Sequence, residues 1–351
     1  MRKTTLCGTV LAGIALASLN AMAGPTVVGV GSYALGSGGT GAAELSGLTW
    51  AGGGQFYAVS DSAARLYPLT VGVDPTTGAV LSAVLSPHLP LGAGSDLEGV
   101  AYDPGAGMVY ASDEVGPAVR EYRLTDGAVL GTVTVPAVYA NQRSNRGLES
   151  LARSAGDGSL WTANEEALSV DGPLSTVGAG TVVRLQRFDS ALGAAGQWAY
   201  VTDGIAGDIP FVSGERSGVS DLAVLPTGEV LVLEREFGLG VSLFRSRIYR
   251  ADFTGATDTS ALPQLDGAAY TPLGKELLWE GNFLTDNFEG LALGPALAGG
   301  WHSLLMISDD GGGLGQSLYA LRVRFDAPAV PEPGGLGLLA GALLWTRIRR
   351  R

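Results

Sequence analysis

Glu98-Gly99-Val100, followed by Ala111-Ser112-Asp113-Glu114, is one of five renderings of a single short program. The others are Ser46-Gly47-Leu48 with Ala58-Val59-Ser60-Asp61, Glu149-Ser150-Leu151 with Ala163-Asn164-Glu165-Glu166, Ser220-Asp221-Leu222 with Leu233-Glu234-Arg235-Glu236, and Glu289-Gly290-Leu291 with Ile307-Ser308-Asp309-Asp310. Each runs from a carboxylate or serine through a small residue into apolar positions, then meets, about fifteen residues later, an apolar strand that ends in polar or acidic residues. Repetition at such a spacing marks an architecture of like units and says where chemistry is to be sought.

Outward from these motifs the pattern stays that of strands. Gln55-Phe56-Tyr57-Ala58-Val59, Met108-Val109-Tyr110-Ala111, Ser159-Leu160-Trp161-Thr162, Glu229-Val230-Leu231-Val232-Leu233 and Ser303-Leu304-Leu305-Met306-Ile307 are short β-branched and aromatic runs. Turns such as Asp103-Pro104-Gly105 and Pro226-Thr227-Gly228 precede them, so each unit opens as a hairpin. Third strands read at 65–69, 120–124, 183–188, 247–251 and 318–322, and fourth strands at 81–85, 129–135, 197–201 and 276–279. The fifth unit lacks a fourth strand, whereas Thr26-Val27-Val28-Gly29-Val30 has no other partner. The expected fold is therefore all-β: one β-propeller of about five four-stranded blades, closed by the N-terminal strand. The motifs stand 52, 51, 71 and 69 residues apart, and the two long intervals leave room for insertions at 173–181 or 257–270, or for a sixth blade.

The ends read differently. Arg2 and Lys3, an apolar run over 6–19 and Ala21-Met22-Ala23 form a secretory signal, 1–23, which contains the lone Cys7. Residues 24–329 form the propeller domain, free of cysteine and so of disulfides. Val330-Pro331-Glu332-Pro333, an apolar stretch over 334–345 and then Arg347, Arg349, Arg350 and Arg351 resemble the PEP-CTERM sorting signal, here 330–351. The resemblance implies an exosortase-type partner, membrane contact only through this tail, and Sec export to the periplasm, outer surface or extracellular matrix of a Gram-negative bacterium. The plainer reading of the tail is an ordinary membrane anchor.

The chain carries 22 basic and 34 acidic residues; setting aside the six basic residues of the two end segments and Glu332 leaves 16 against 33, a net charge near −17. Such a surface repels nucleic acid and anionic lipid and attracts cations. Lysine is confined to Lys3 and Lys275, so the domain's positive charge is almost wholly arginine, the side chain suited to bidentate contact with carboxylate or phosphate. Fifty-four glycines beside 46% hydrophobic residues describe many tight turns around a real core. A monomer is expected.

Asn145-Arg146-Gly147-Leu148-Glu149-Ser150-Leu151-Ala152, Leu160 to Glu166, Val219-Ser220-Asp221-Leu222-Ala223, Val232 to Glu236 and Asn287-Phe288-Glu289-Gly290-Leu291-Ala292 with Ser308-Asp309-Asp310 resemble, in that order, the phytase-like domain described as "esterase-like activity of phytase". The resemblance covers nearly all of 24–329. It implies a secreted or periplasmic propeller with phosphomonoesterase or esterase activity on a small anionic or ester substrate.

In a propeller the first strand of each blade lines the axis, which gathers Glu98, Glu149, Asp221 and Glu289 with Ser46 and Ser220. Carboxylates so gathered need a counter-charge. Oxygen donors without cysteine, and only His88 and His302 besides, favour Ca²⁺. The expected metal ligands are Glu98, Glu149, Asp221, Glu289 and Asp309, and the expected catalytic set is Glu149, Glu289, Arg146 and Arg235, the arginines clamping phosphate. Against this stands the reading of the same acids as staples for backbone N–H groups, and of Asp309-Asp310-Gly311-Gly312-Gly313 as a solvated loop rather than a calcium turn. Gly36-Ser37-Gly38-Gly39-Thr40-Gly41 has no helix behind it, and no Gly-x-Ser-x-Gly elbow serves a serine triad. The two surviving functions are a metal-dependent ester hydrolase and a non-catalytic binding propeller. Where Arg146 and Arg235 stand relative to the acids separates them.

Overall fold

A computed structural model describes residues 24–36, 39–207, 216–238, 242–310 and 315–325. The segments read as a secretory signal and a sorting tail, and Gly311 to Gly313, lie outside these residues.

Each repeat folds as one antiparallel sheet. From the axis outward, blade 1 is Leu45–Gly52, Gln55–Ser60, Ala63–Val73 and Val80–Leu85; blade 2 is Leu97–Asp103, Met108–Asp113, Ala118–Arg123 and Val129–Val133. Blade 3 is Ala152–Arg153, Leu160–Ala163, Val182–Phe188 and Ala194–Val201, and blade 4 is Arg216–Val224, Val230–Phe237, Phe244–Asp252 and Gly274–Phe283. Blade 5 is Asn287–Ala296, Trp301–Asp309 and Gln316–Arg324, completed by Thr26–Leu35, which pairs antiparallel with Gln316–Arg324 as expected.

The core lies between blades rather than inside one. Leu48, Phe56 and Tyr67 of blade 1 meet Leu305, Ile307 and Leu318 of blade 5. Blade 1 meets blade 2 through Val59 and Leu66 against Val100 and Tyr122. Blade 2 meets blade 3 through Tyr110 and Val119 against Leu160 and Phe188. Blade 3 meets blade 4 through Val183 and Leu185 against Val230 and Val232, and blade 4 meets blade 5 through Leu231 and Ile248 against Leu304 and Met306. Five blades with five shared cores close the ring, so the described residues hold no sixth blade. The long intervals are insertions. Residues 258–265 of blade 4 cross to blade 3, where Thr259 donates its N–H to the Gln197 carbonyl and Leu265 donates to Asp171. Asp171 in turn holds the fully buried Arg184 at 2.6 and 2.7 Å, so this insertion braces two blades.

The repeat motif has a backbone cause. The ladder between first and second strands slips between Leu45 and Leu48, Leu97 and Val100, Val219 and Asp221, and Phe288 and Gly290, the same place in four blades. A bulge there re-aims the residue that it carries. In blade 3, side chains take over part of the ladder: Ser150 Oγ accepts from the Ala163 N–H and Thr162 Oγ1 donates to the Ser150 carbonyl. That is why the first strand of blade 3 shrinks to Ala152–Arg153.

The small residue answers to crowding at the axis. A Cβ on Gly99 would lie 2.3 Å from the Leu151 nitrogen, and one on Gly290 would lie 2.5 Å from the Ser46 carbonyl oxygen. The first strands thus pinch the channel to a waist, with one cavity on either side.

Candidate functional site

On one side of the waist the bulged residues converge. Carboxylate oxygens of Glu98, Glu149 and Glu289 come within 4.8 Å of one another, and all three side chains are buried. The serine that replaces glutamate in the first repeat is tied to them, since Ser46 Oγ donates to Glu98 Oε2 at 2.6 Å. Arg235, from the second strand of blade 4, reaches the acids of the two flanking blades. Its guanidinium stands 2.5 Å from Glu165, 3.1 Å from Glu289 and 4.0 Å from Glu149, and it donates to Asn287 Oδ1 at 3.2 Å. These groups open on a cavity of about 180 Å³ walled entirely by polar residues, among them Asp61, Asp96, Asn145, Arg216 and Asp309.

The expected residues do not all meet here. Glu98, Glu149, Glu289, Arg235 and Asp309 line the cavity. Asp221 lies at the waist, in the slot that glycine fills in blades 2 and 5, and accepts the N–H groups of Leu222 at 2.8 Å, Leu291 at 2.6 Å and Leu151 at 3.4 Å. It staples blades 3, 4 and 5. Arg146 is outside the lining and donates to Glu166 at 2.8 Å, while Glu166 also accepts from the N–H and hydroxyl of Ser175. Four lining residues went unread: Asp96, Asn145, Arg216 and Asn287. Asp96 and Asn287 stand two residues before Glu98 and Glu289. A strand's period of two was the signal that could have found them.

The electrostatics are those of acid in excess. Burial first, and then the neighbouring glutamates, push the proton affinity of Glu98 and Glu149 well above the carboxylate range. Glu289 is also raised by burial, with Arg235 opposing. Burial and then Glu289 push Asp61 up to about 8, and burial pushes Glu114 up to about 7 against the pull of its bond from the Gly147 N–H. Arg235 is desolvated too, but Glu289, Glu165 and Glu149 outweigh that and hold its charge.

Among the described residues three overlapping groups could hold a metal ion: Glu98 with Glu149 and Glu289, Asp96 with Glu98 and Glu114, and Glu114 with Glu149 and Glu165. The donors fit a hard cation, being carboxylate oxygens alone. Asp61 Oδ1, on the same wall, is buried without a hydrogen-bond partner.

The raised carboxyls fix a pH dependence. They favour the folded state below the ordinary carboxylate range, and that stabilisation is lost as pH rises through their folded values, here about 7 and about 8. Cation-free protein is therefore expected to melt at lower temperature at pH 8.5 than at pH 6. Millimolar Ca²⁺ should raise the melting temperature more at pH 8.5, where no proton competes. Calorimetry across this range checks it, and a melting temperature that climbs from pH 6 to 8.5 without Ca²⁺ would refute it.

The family model described as "Esterase-like activity of phytase" matches residues 40–312. No curated protein matches the chain. Among solved structures, the PQQ-bound aldose sugar dehydrogenase of Streptomyces coelicolor is 14% identical, with 84% of this chain and 98% of that one covered and a TM-score of 0.37. A streptogramin B lyase is 9% identical, covering 86% of this chain and 98% of its own, with a TM-score of 0.35. The hydrazine synthase of Kuenenia stuttgartiensis is 14% identical over 79% of this chain and 81% of its own, with a TM-score of 0.35. Likenesses this faint say nothing of the reaction.

Proposed function

The chain belongs to the phytase-like family described as esterase-like activity of phytase, and on that premise we propose that it is an exported phosphoric-ester hydrolase whose acidic cavity works with Ca²⁺. The observation that carries this reading is the convergence of Glu98, Glu149 and Glu289 within 4.8 Å on a cavity that also presents arginine. These three, with Asp309 on the wall, would hold the ion. A bound Ca²⁺ supplies polarisation of a phosphoryl oxygen and a more acidic water. The protein's own part is distributed. Arg235 is committed to Glu165 and Glu289 and keeps the acids together. Arg216 keeps a looser contact, 3.6 Å from Glu165, with its side chain 29% exposed, and is the guanidinium free to receive an anionic substrate oxygen. Glu149 meets Arg235 only at 4.0 Å and, as a carboxylate beside the ion, would accept a proton from the attacking water. The clamp in this reading passes from the expected Arg146 and Arg235 to Arg216.

Purified protein is expected to hydrolyse p-nitrophenyl phosphate or phytate in millimolar Ca²⁺ and to stop in EGTA. Glu149→Gln should lose at least about 100-fold in kcat, and Arg216→Gln should raise KM more than it lowers kcat. No turnover of any phosphate ester in Ca²⁺ sinks the proposal.

Arg235 favours a second reading. A guanidinium spread over three buried acids is also how a structural staple is built, and a cation-binding propeller without turnover would show Ca²⁺-dependent melting alone. In either case, removal of 1–23 on Sec export, exosortase-type processing of 330–351 and a monomeric propeller at the outer surface or matrix of a Gram-negative bacterium belong to the proposal. Intact mass of the secreted protein tests the processing.

A further inference from the structure

Beyond the waist, on the side away from the acids, the same first strands line a second cavity, of about 430 Å³. Its floor is the apolar residue that follows the small one in every repeat: Leu48, Val100, Leu151, Leu222 and Leu291, one from each blade. Trp50 and Tyr102 stand in the wall. Among the described residues no carboxylate lines it, in a domain where acids outnumber bases two to one. The one cation among the described lining residues is Arg153, whose side chain is 22% exposed and stands 3.4 Å from Asp103. His302 shares the lining; its ring stacks on Phe325 at 4.7 Å, and its Nδ1 is buried without a hydrogen-bond partner. A concave apolar pocket of this size with a few polar groups is the form that small-molecule sites take. A planar guanidinium with donors to spare selects a carboxylate among possible head groups.

We propose that this funnel binds a small apolar carboxylate, an alkyl or aryl carboxylic acid, with its chain on the five-residue floor and its head group held by Arg153. The site is independent of the acidic cavity, from which Gly99, Gly290 and Asp221 separate it. Its occupancy does not depend on divalent cations.

The test uses the fluorescent fatty acid 11-(dansylamino)undecanoate, with decanoate and decanol as competitors. The probe is expected to bind with a micromolar dissociation constant, and decanoate should displace it at least about tenfold more effectively than decanol, a preference that one charge-assisted hydrogen bond supplies. Arg153→Gln should erase that preference. Ala155→Trp, at an exposed lip position, should block probe and competitors alike at unchanged melting temperature. EGTA and Glu149→Gln should change neither. Undiminished binding in Ala155→Trp, equal displacement by decanol, or loss of binding with EGTA would overturn the proposal. So would binding that appears only when residues 326–351 are removed, which would give the funnel to the chain's own apolar stretch.

Discussion

Arg235→Met is expected to lower the melting temperature by about 10 °C at pH 7.5 in calcium-free buffer. Among the described residues the guanidinium is the only cation within 3.5 Å of Glu165 and Glu289, Arg216 coming next at 3.6 Å from Glu165, and both acids are buried. Removing one partner from a buried ion pair leaves uncompensated charge and typically costs about 3–5 kcal/mol, and each kilocalorie shifts the melting temperature of a domain this size by about 2–4 °C. Methionine keeps most of the volume, so the loss reports charge rather than a cavity. At pH 5 the deficit should shrink, because Glu98, Glu149 and Glu289 hold protons more tightly than ordinary carboxylates. Millimolar Ca²⁺ should also recover part of it, by supplying the missing positive charge. Calorimetry on both proteins decides; a deficit under about 2 °C, indifferent to pH and Ca²⁺, would mean that the acids do not need the arginine.

The second large effect is expected from Gly99→Val, which should leave no cooperatively folded protein. Its Cβ would stand 2.3 Å from the Leu151 nitrogen and 2.4 Å from the Ser150 carbonyl carbon, and both are backbone atoms of the next blade. Neither side can yield without opening the waist, where Gly290 is equally close to Ser46. Overpacking of a core costs about 1–3 kcal/mol where side chains can move aside; a backbone collision in a closed ring exceeds that. Gly105→Ala is the control, since its Cβ would meet only Asp103 Oδ1 at 3.3 Å, and it should stay within about 0.5 kcal/mol of the parent. Soluble yield and circular dichroism of the pair distinguish them, and a folded Gly99→Val would contradict the pinched waist.

The propeller was legible because one geometric demand recurs five times. The first strands squeeze past their neighbours at the same height, four of the five bulging there, and an acid or serine followed by a residue that fits the slot satisfies this. The closing strand was legible by exclusion, as the one apolar run without a partner. The site was legible as a set of acids and less so as a shared space. Asp221 stands one residue beyond the glutamate position, and that single step turns its carboxylate from the cavity into the backbone of two neighbouring blades. The repeat contained this, because Asp221 aligns with Gly99 and Gly290. Nothing comparable marks Arg235 over Arg146: one stands between Glu234 and Glu236, the other three residues before Glu149, and only the packed blades decide which guanidinium reaches the axis. The apolar funnel escaped for a related reason. Leu48, Val100, Leu151, Leu222 and Leu291 read as core, and in a pinched ring the innermost layer of core is also a wall.

Closure by Thr26–Leu35 has a consequence in time. That strand leaves the ribosome early, yet its partner Gln316–Arg324 is made near the end. At about 5–20 residues per second the wait is roughly 15–60 s. Throughout it, ten residues without a single charge, Thr26 to Leu35, have no edge to join. Such a segment is prone to pair with its like on another chain, and the slip in its register between Gly29 and Gly31 makes it a poorer template for doing so. The circle's weakest moment is therefore its delayed completion, and a chaperone acting on this protein has most to gain at its first strand.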